Sequence, residues 1–193
     1  LIGTRMDSQT EIYRELKNNL MRRPTLVEFY RAAGSVATIR ESFGHWFNLV
    51  KDENDLDSAE SIIVDTHGKF FKELEKTSLT KSFKIVLMEA YLEINGFSKP
   101  PTTIALANKS FEVFQRRRTL LSDLPDEYVN LSELLDAHQG PWHNYWKKNP
   151  INAWIGGDYF GDEGNRLVFH QQIQDQQVEI FNQLVWEIVN YRF

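Results

Sequence analysis

Apolar residues recur at helical spacing along most of the chain. Ile12, Leu16 and Leu20 return every fourth position, which predicts a first helix over about 9–20. Arg22, Arg23 and Pro24 interrupt it. Thr25 stands three residues before Glu28, the spacing of a capping box, and opens a second helix that Ala33 and Gly34 end. A third short helix is predicted over 35–43, with Val36, Ile39 and Phe43 inward, and His45 to Val50 adds a further turn or two after Gly44.

The polar, acidic stretch 52–57 reads as a connector. It leads to a helix over about 58–76 with Ile63, Phe70 and Leu74 on its apolar side. Phe83, Val86, Leu87, Ala90, Tyr91 and Ile94 give the clearest amphipathic pattern in the chain. Pro100 and Pro101 precede a helix over about 102–118, with Ile104, Ala107, Phe111 and Phe114 inward. Beyond Pro125 the pattern loosens. Asn130 and Glu133 have the spacing of a cap and its third position, 142–154 follows no clear period, and 156–164 is a glycine-rich acidic loop. Arg166–His170 reads as a short strand able to pair with Tyr159–Phe160. A last helix is predicted over about 175–191, with Val178, Phe181, Val185 and Ile188 inward. The fold class expected is therefore mainly α: an N-terminal tri-helical module over 1–51 and a larger helical body over 52–193, with room for one small β-hairpin near 158–170.

Composition narrows the classes. Hydrophobic residues make up 41% of the 193, enough for a packed core and against a disordered chain. With no cysteine there is neither a disulfide nor a thiolate metal site, which fits a cytoplasmic setting. No apolar run has the ~20 residues of a membrane span. The chain starts at Leu1, which reads as a fragment of a longer parent. The formal net charge of −5 argues against nucleic acid until its distribution is seen. Residues 1–50 hold seven Lys/Arg against five Asp/Glu, and 81–125 hold seven against four, whereas 51–80 and 126–193 are acidic. Local basic blocks suffice for a nucleic-acid surface.

Three short helices in about 40 residues, with Gly34 in the middle link, have the plan of a helix-turn-helix unit. In such a unit the third helix offers its N-terminal end to the major groove. Here that end carries Ser35 and Thr38, with Arg40 on the polar face, while Lys17, Arg22 and Arg23 stand nearby as phosphate contacts. Lys81, Lys84, Arg116 and Arg117 in the second basic block are further candidates, and 79–125 has the outline of a second such unit.

Arg23-Pro24-Thr25, Glu28-Phe29-Tyr30, Thr38-Ile39-Arg40 and Phe43-Gly44-x-Trp46 resemble the homing-endonuclease-associated repeat, a small helix-turn-helix module found beside nuclease and helicase domains. The resemblance implies duplex DNA as partner and the helix of Thr38 and Arg40 as reader. It departs from the pattern at Phe29 and Ala33, where polar or glycine residues often sit. Leu79 to Lys84 and Asn149-Pro150-Ile151 are similar to the C-terminal regions of bacterial superfamily II helicases of the DEAD/DEAH type, as found in restriction and defence systems. Neither a phosphate-loop motif nor an Asp-Glu-x-His box occurs in the sequence, so no ATP hydrolysis is expected of this chain.

Each of these readings has a plainer competitor. The arginines also fit a solvated surface, and Arg116-Arg117-Arg118 fits simple complementation of a helix C-terminus. Trp142, Tyr145, Trp146, Trp154, Tyr159 and Phe160 read first as a second core, and only secondarily as a reader of modified bases. No histidine of the five lies four residues from another, and Asp158, Asp162 and Glu163 do not match a calcium loop. The expectation is a non-catalytic DNA-binding accessory segment of a larger helicase or nuclease, needing neither metal nor cofactor. A spacer or docking domain for the motor of the same parent chain is the alternative.

Overall fold

The computed structural model describes residues 2–193, with side chains from Ser8 onward. The fold is mainly α with one small hairpin, as the pattern of apolar positions indicates. Among the described residues, no helix is long and apolar enough to cross a membrane. The chain divides into two compact units, 1–77 with 179–193, and 78–178. This division differs from the expected boundary at 51/52. The helix after the connector and the last helix of the chain supply the apolar and charged partners that complete the first three.

In the first unit, α1 (Ile2–Leu20) and α2 (Leu26–Arg31) are followed by α3 (Val36–Phe43), α4 (Trp46–Asp52) and α5 (Ser58–Lys76); the unit then takes in α11 (Val178–Arg192) from Glu179 on. Thr25 and Glu28 form the capping box at the start of α2, and Asp57 with Glu60 forms another at α5. Leu26, Phe29, Val36, Ile39, Trp46 and Phe47 are buried. In α1 the buried position is Tyr13, while Ile12, Leu16 and Leu20 are only half-buried. The Tyr13 ring packs on Trp46, and its hydroxyl donates to Asp55 at 2.6 Å. Phe181 of α11 packs against His67, Phe70 and Phe71.

The second unit contains α6 (Phe83–Glu93), α7 (Thr103–Arg116), a 3₁₀ segment, α8 (Asp126–Val129), α9 (Asp136–Trp146) and α10 (Asn152–Ile155). A hairpin of β1 (Phe160–Glu163) and β2 (Arg166–Phe169) follows, with Phe160 opposite Phe169. α6 is not the amphipathic surface helix its spacing suggests. Ile85 to Leu92 is buried on every side, because α7 and the turn after α9 pack against it and Tyr91 donates to the Leu167 carbonyl of the hairpin at 3.1 Å. In α7, Ile104 is exposed, and Leu106 and Val113 take inward places beside Ala107, Phe111 and Phe114. Asn130 closes α8 instead of opening a helix, and α9 starts six residues later.

Between α9 and α10 the chain widens into a π-helical turn, Lys147–Ile151. Pro150 explains it. Proline has no N–H to return to the carbonyl of Trp146, and its ring would collide with that carbonyl in a regular helix. The side-chain amide of Asn149 donates to the Tyr145 carbonyl at 2.8 Å and satisfies one acceptor that the irregular turn leaves over.

Candidate nucleic-acid interface

The four candidate cations of the first unit are all engaged with carboxylates. Lys17 donates to Asp55, which also holds Tyr13. Arg22 grips Glu28 at two points, 2.8 and 2.9 Å, and holds the Glu28 carboxyl down to about 2 against the opposing effect of burial. Lys17 and Arg22 remain well exposed. Arg23 and Arg40 do not: only 23% and 24% of their side chains meet solvent.

Arg23 makes a bidentate contact with Glu187, whose carboxylate also accepts from the Leu26 amide at 3.0 Å and the Trp46 indole N–H at 2.8 Å. Arg40 donates to Glu75 at 2.7 Å, and the other oxygen of Glu75 accepts from the Trp46 amide at 2.9 Å. Burial pushes the Glu75 carboxyl above its ordinary range, opposed by these two donors. The expectation that Arg40 lies on the open face of α3 is thus corrected. A buried carboxylate on α5 draws the guanidinium inward, which leaves Ala37, Glu41 and Ser42 as the exposed positions of that helix. Ser35 and Thr38 are also occupied. Ser35 Oγ accepts from the Thr38 amide as the N-cap, and the two hydroxyls are 2.8 Å apart.

In the second unit, Arg117 binds the buried Glu89 at 2.7 Å, and Arg116 binds Glu93 and Glu89. These two arginines tie the end of α7 to α6. Lys81 and Lys84 are placed differently, on the wall of a cleft of about 700 Å³ together with Lys148. Lys84 Nζ lies 4.4 Å from the Trp154 ring centroid, and Lys81 Nζ lies 5.4 Å from that of Phe83 while donating to the Asp123 carbonyl. The remaining wall combines the half-buried Tyr145, the Phe83 ring, Pro150, and the amides of Asn149 and Asn152. Among the described residues, no carboxylate lines the cleft. Burial first, and then the nearby Asp123 and Glu127 carboxylates, push the Tyr145 phenol up. The Asp123 carboxylate itself accepts from the Ser82 amide at 3.0 Å.

Sequence reasoning named Lys81 and Lys84, gave Tyr145 a base-reading role only as the secondary reading of the aromatic cluster, named Asn149 only within the helicase-like resemblance, and did not name Lys148. The available signal was Lys147-Lys148-Asn149-Pro150, a basic pair before a proline inside an aromatic stretch. The aromatic cluster is chiefly core, as expected: Trp142, Trp146, Trp154 and Phe160 are buried, and the Trp142 indole donates to the Ala107 carbonyl at 2.7 Å. Among the described residues, no three His, Asp or Glu side chains converge as a metal site would require. The chain matches no family model, no curated protein and no solved structure.

Proposed function

We propose that the chain is a nucleic-acid-binding accessory segment that serves a larger DNA-processing enzyme and performs no chemistry itself. The observation that carries this reading is the cleft of the second unit, where Lys81, Lys84 and Lys148 stand around aromatic and amide groups with no carboxylate in the lining. Three ammonium groups on one concave wall raise the local concentration of polyanions whatever the sign of the net charge. Lys17 and Arg22 are auxiliary phosphate contacts. The Arg22–Glu28 pair lies at the surface, has little net worth and exchanges readily for phosphate; Lys17 keeps 41% of its side chain in solvent but is paired with Asp55, which is only 10% exposed, and Arg23 and Arg40 are committed to buried carboxylates.

Binding of a labelled oligonucleotide to the full chain at rising salt tests the proposal. Joint replacement of Lys81, Lys84 and Lys148 by alanine should flatten the log–log salt slope by about 2–3, at about 0.7–0.9 per lost phosphate contact. Replacement of Lys17 and Arg22 should have a smaller effect. No salt-sensitive binding by the well-folded wild type would overturn the reading. A docking or spacer role for the first unit is the second reading, and the pairing of Lys17, Arg22, Arg23 and Arg40 with carboxylates favours it for that unit.

A further inference from the structure

We infer that the cleft between Lys81, Tyr145 and Lys148 accepts an unstacked nucleotide of a single strand, with its phosphates on the lysines and its base beside Tyr145. This rests on the reading of the cleft as a nucleic-acid contact and adds the form of the nucleic acid.

Duplex readers project a helix or ribbon into a groove about 12 Å wide. The cleft is the opposite, a concave space of about 700 Å³ in the size range of sites that enclose a small ligand. A duplex presents its phosphates to such a cleft but keeps its bases stacked inside. A single strand delivers a base into it.

Lysines alone would suit any phosphate, but Tyr145, Phe83 and Pro150 give the same space an apolar, ring-bearing side. Aromatic rings interleaved with cations are the usual means of holding single strands, because every base has a π-face. Asn152 adds an amide group capable of meeting a base edge, while the Asn149 amide is held by the Tyr145 carbonyl. The π-turn at Lys147–Ile151 places Lys148 and Asn149 on the lining, and such turns often mark ligand sites.

The experiment compares four probes with the full chain at fixed low salt: a 12-mer of thymidine, the same strand with abasic sites, a 12-base-pair duplex and thymidine monophosphate. The normal strand should bind about tenfold more tightly than either the abasic strand or the duplex, the order of one stacked base. Y145A should lose about the same factor on the normal strand and nothing on the abasic one, while Y145F should restore it. The abasic strand leaves the protein untouched, so the result does not depend on how well Y145A folds. Equal affinity for duplex, normal and abasic strands would overturn the inference and leave the proposed function standing. Salt-insensitive failure to bind every polymer would overturn both. Tighter binding of the monophosphate than of the strand would overturn the assignment to a strand and point to a free nucleotide.

Discussion

Arg23 and Glu187 meet end on, Nη1 and Nη2 each donating to one carboxylate oxygen at 3.0 and 2.8 Å, although 164 residues separate them in the chain. Glu187 is only 7% exposed at its side chain, and it also receives the Leu26 amide and the Trp46 indole. One carboxylate therefore joins the start of α2, the start of α4 and α11. Such a group is stable only while its donors remain, because an unpaired buried charge loses hydration without compensation.

The first prediction compares the two neighbouring arginines. Arg23→Ala should cost about 3 kcal/mol by leaving Glu187 short of its charged partner. Arg22→Ala should change stability little, because Arg22 and Glu28 meet at the surface. Urea unfolding of both variants checks this. Similar midpoints for the two would show that Glu187 does not depend on Arg23.

A second prediction concerns the turn between α2 and α3. Ala33 has φ +67°, a left-handed conformation that costs a residue with a Cβ about 1–2 kcal/mol. Glycine at this position would relieve the strain. Ala33→Gly should therefore stabilise the protein, by up to about 1 kcal/mol after its own entropy cost. Gly34→Ala should do the reverse, since a Cβ at that position would lie 2.3 Å from the Phe29 ring. Thermal unfolding should move the two midpoints in opposite directions.

A third prediction is a pH dependence centred on His45. Its side chain is buried in the first unit, and its Nδ1 has no hydrogen-bond partner among the described residues. Burial first, and the nearby Lys72 second, lower its pKa to about 4. The unfolded chain binds the proton more readily, with a pKa near ~6.5. Stability from this group is thus complete above about pH 6.5 and is lost as the pH falls toward about 4, to the extent of roughly 2–3 kcal/mol. His45→Gln should flatten the pH profile in that window. A wild-type profile that is already flat between pH 7 and 4.5 would contradict the prediction.

How far the sequence reaches is visible in these same residues. Local signals were legible because their causes are local. The Thr25–Glu28 capping box needs four residues, and the Val178, Phe181, Val185, Ile188 stripe of α11 needs three turns. Long-range pairings were not. Nothing near Arg40 announces Glu75, and nothing near Arg23 announces Glu187, so helix spacing alone placed Arg40 on the open face. α6 misled for a related reason: periodicity marks one buried stripe, but a helix at the centre of a unit is covered from several sides. The cleft was half legible, through Lys81 and Lys84. Its other wall comes from the π-turn around Pro150, about 65 residues later, where no regular period survives.

The last prediction separates a structural Arg40 from a base-reading one. If Arg40 read a base, its loss would weaken or relax binding and leave folding alone. The geometry predicts the reverse. Glu75 has no exposed side-chain surface, and Arg40 supplies its charged partner at 2.7 Å while the Trp46 amide supplies the other donor. Arg40→Ala should cost about 3 kcal/mol at neutral pH and leave oligonucleotide affinity unchanged at temperatures where the variant is folded. Glu75→Gln keeps an acceptor for Trp46 and removes the charge, so the double variant R40A/E75Q should be more stable than R40A alone. Acid gives an independent check. Burial already raises the Glu75 carboxyl, and loss of Arg40 raises it further, so in R40A the folded state takes up this proton more readily than the unfolded chain does. A raised carboxyl pKa contributes stability at low pH that is lost as pH rises through the folded value. The gap between wild type and R40A should therefore shrink on acidification and reopen toward neutrality. Urea unfolding at pH 4.5 and 7.5, with anisotropy of the same oligonucleotide at 7.5, measures both sides. A stable R40A with reduced affinity would return Arg40 to the nucleic-acid surface.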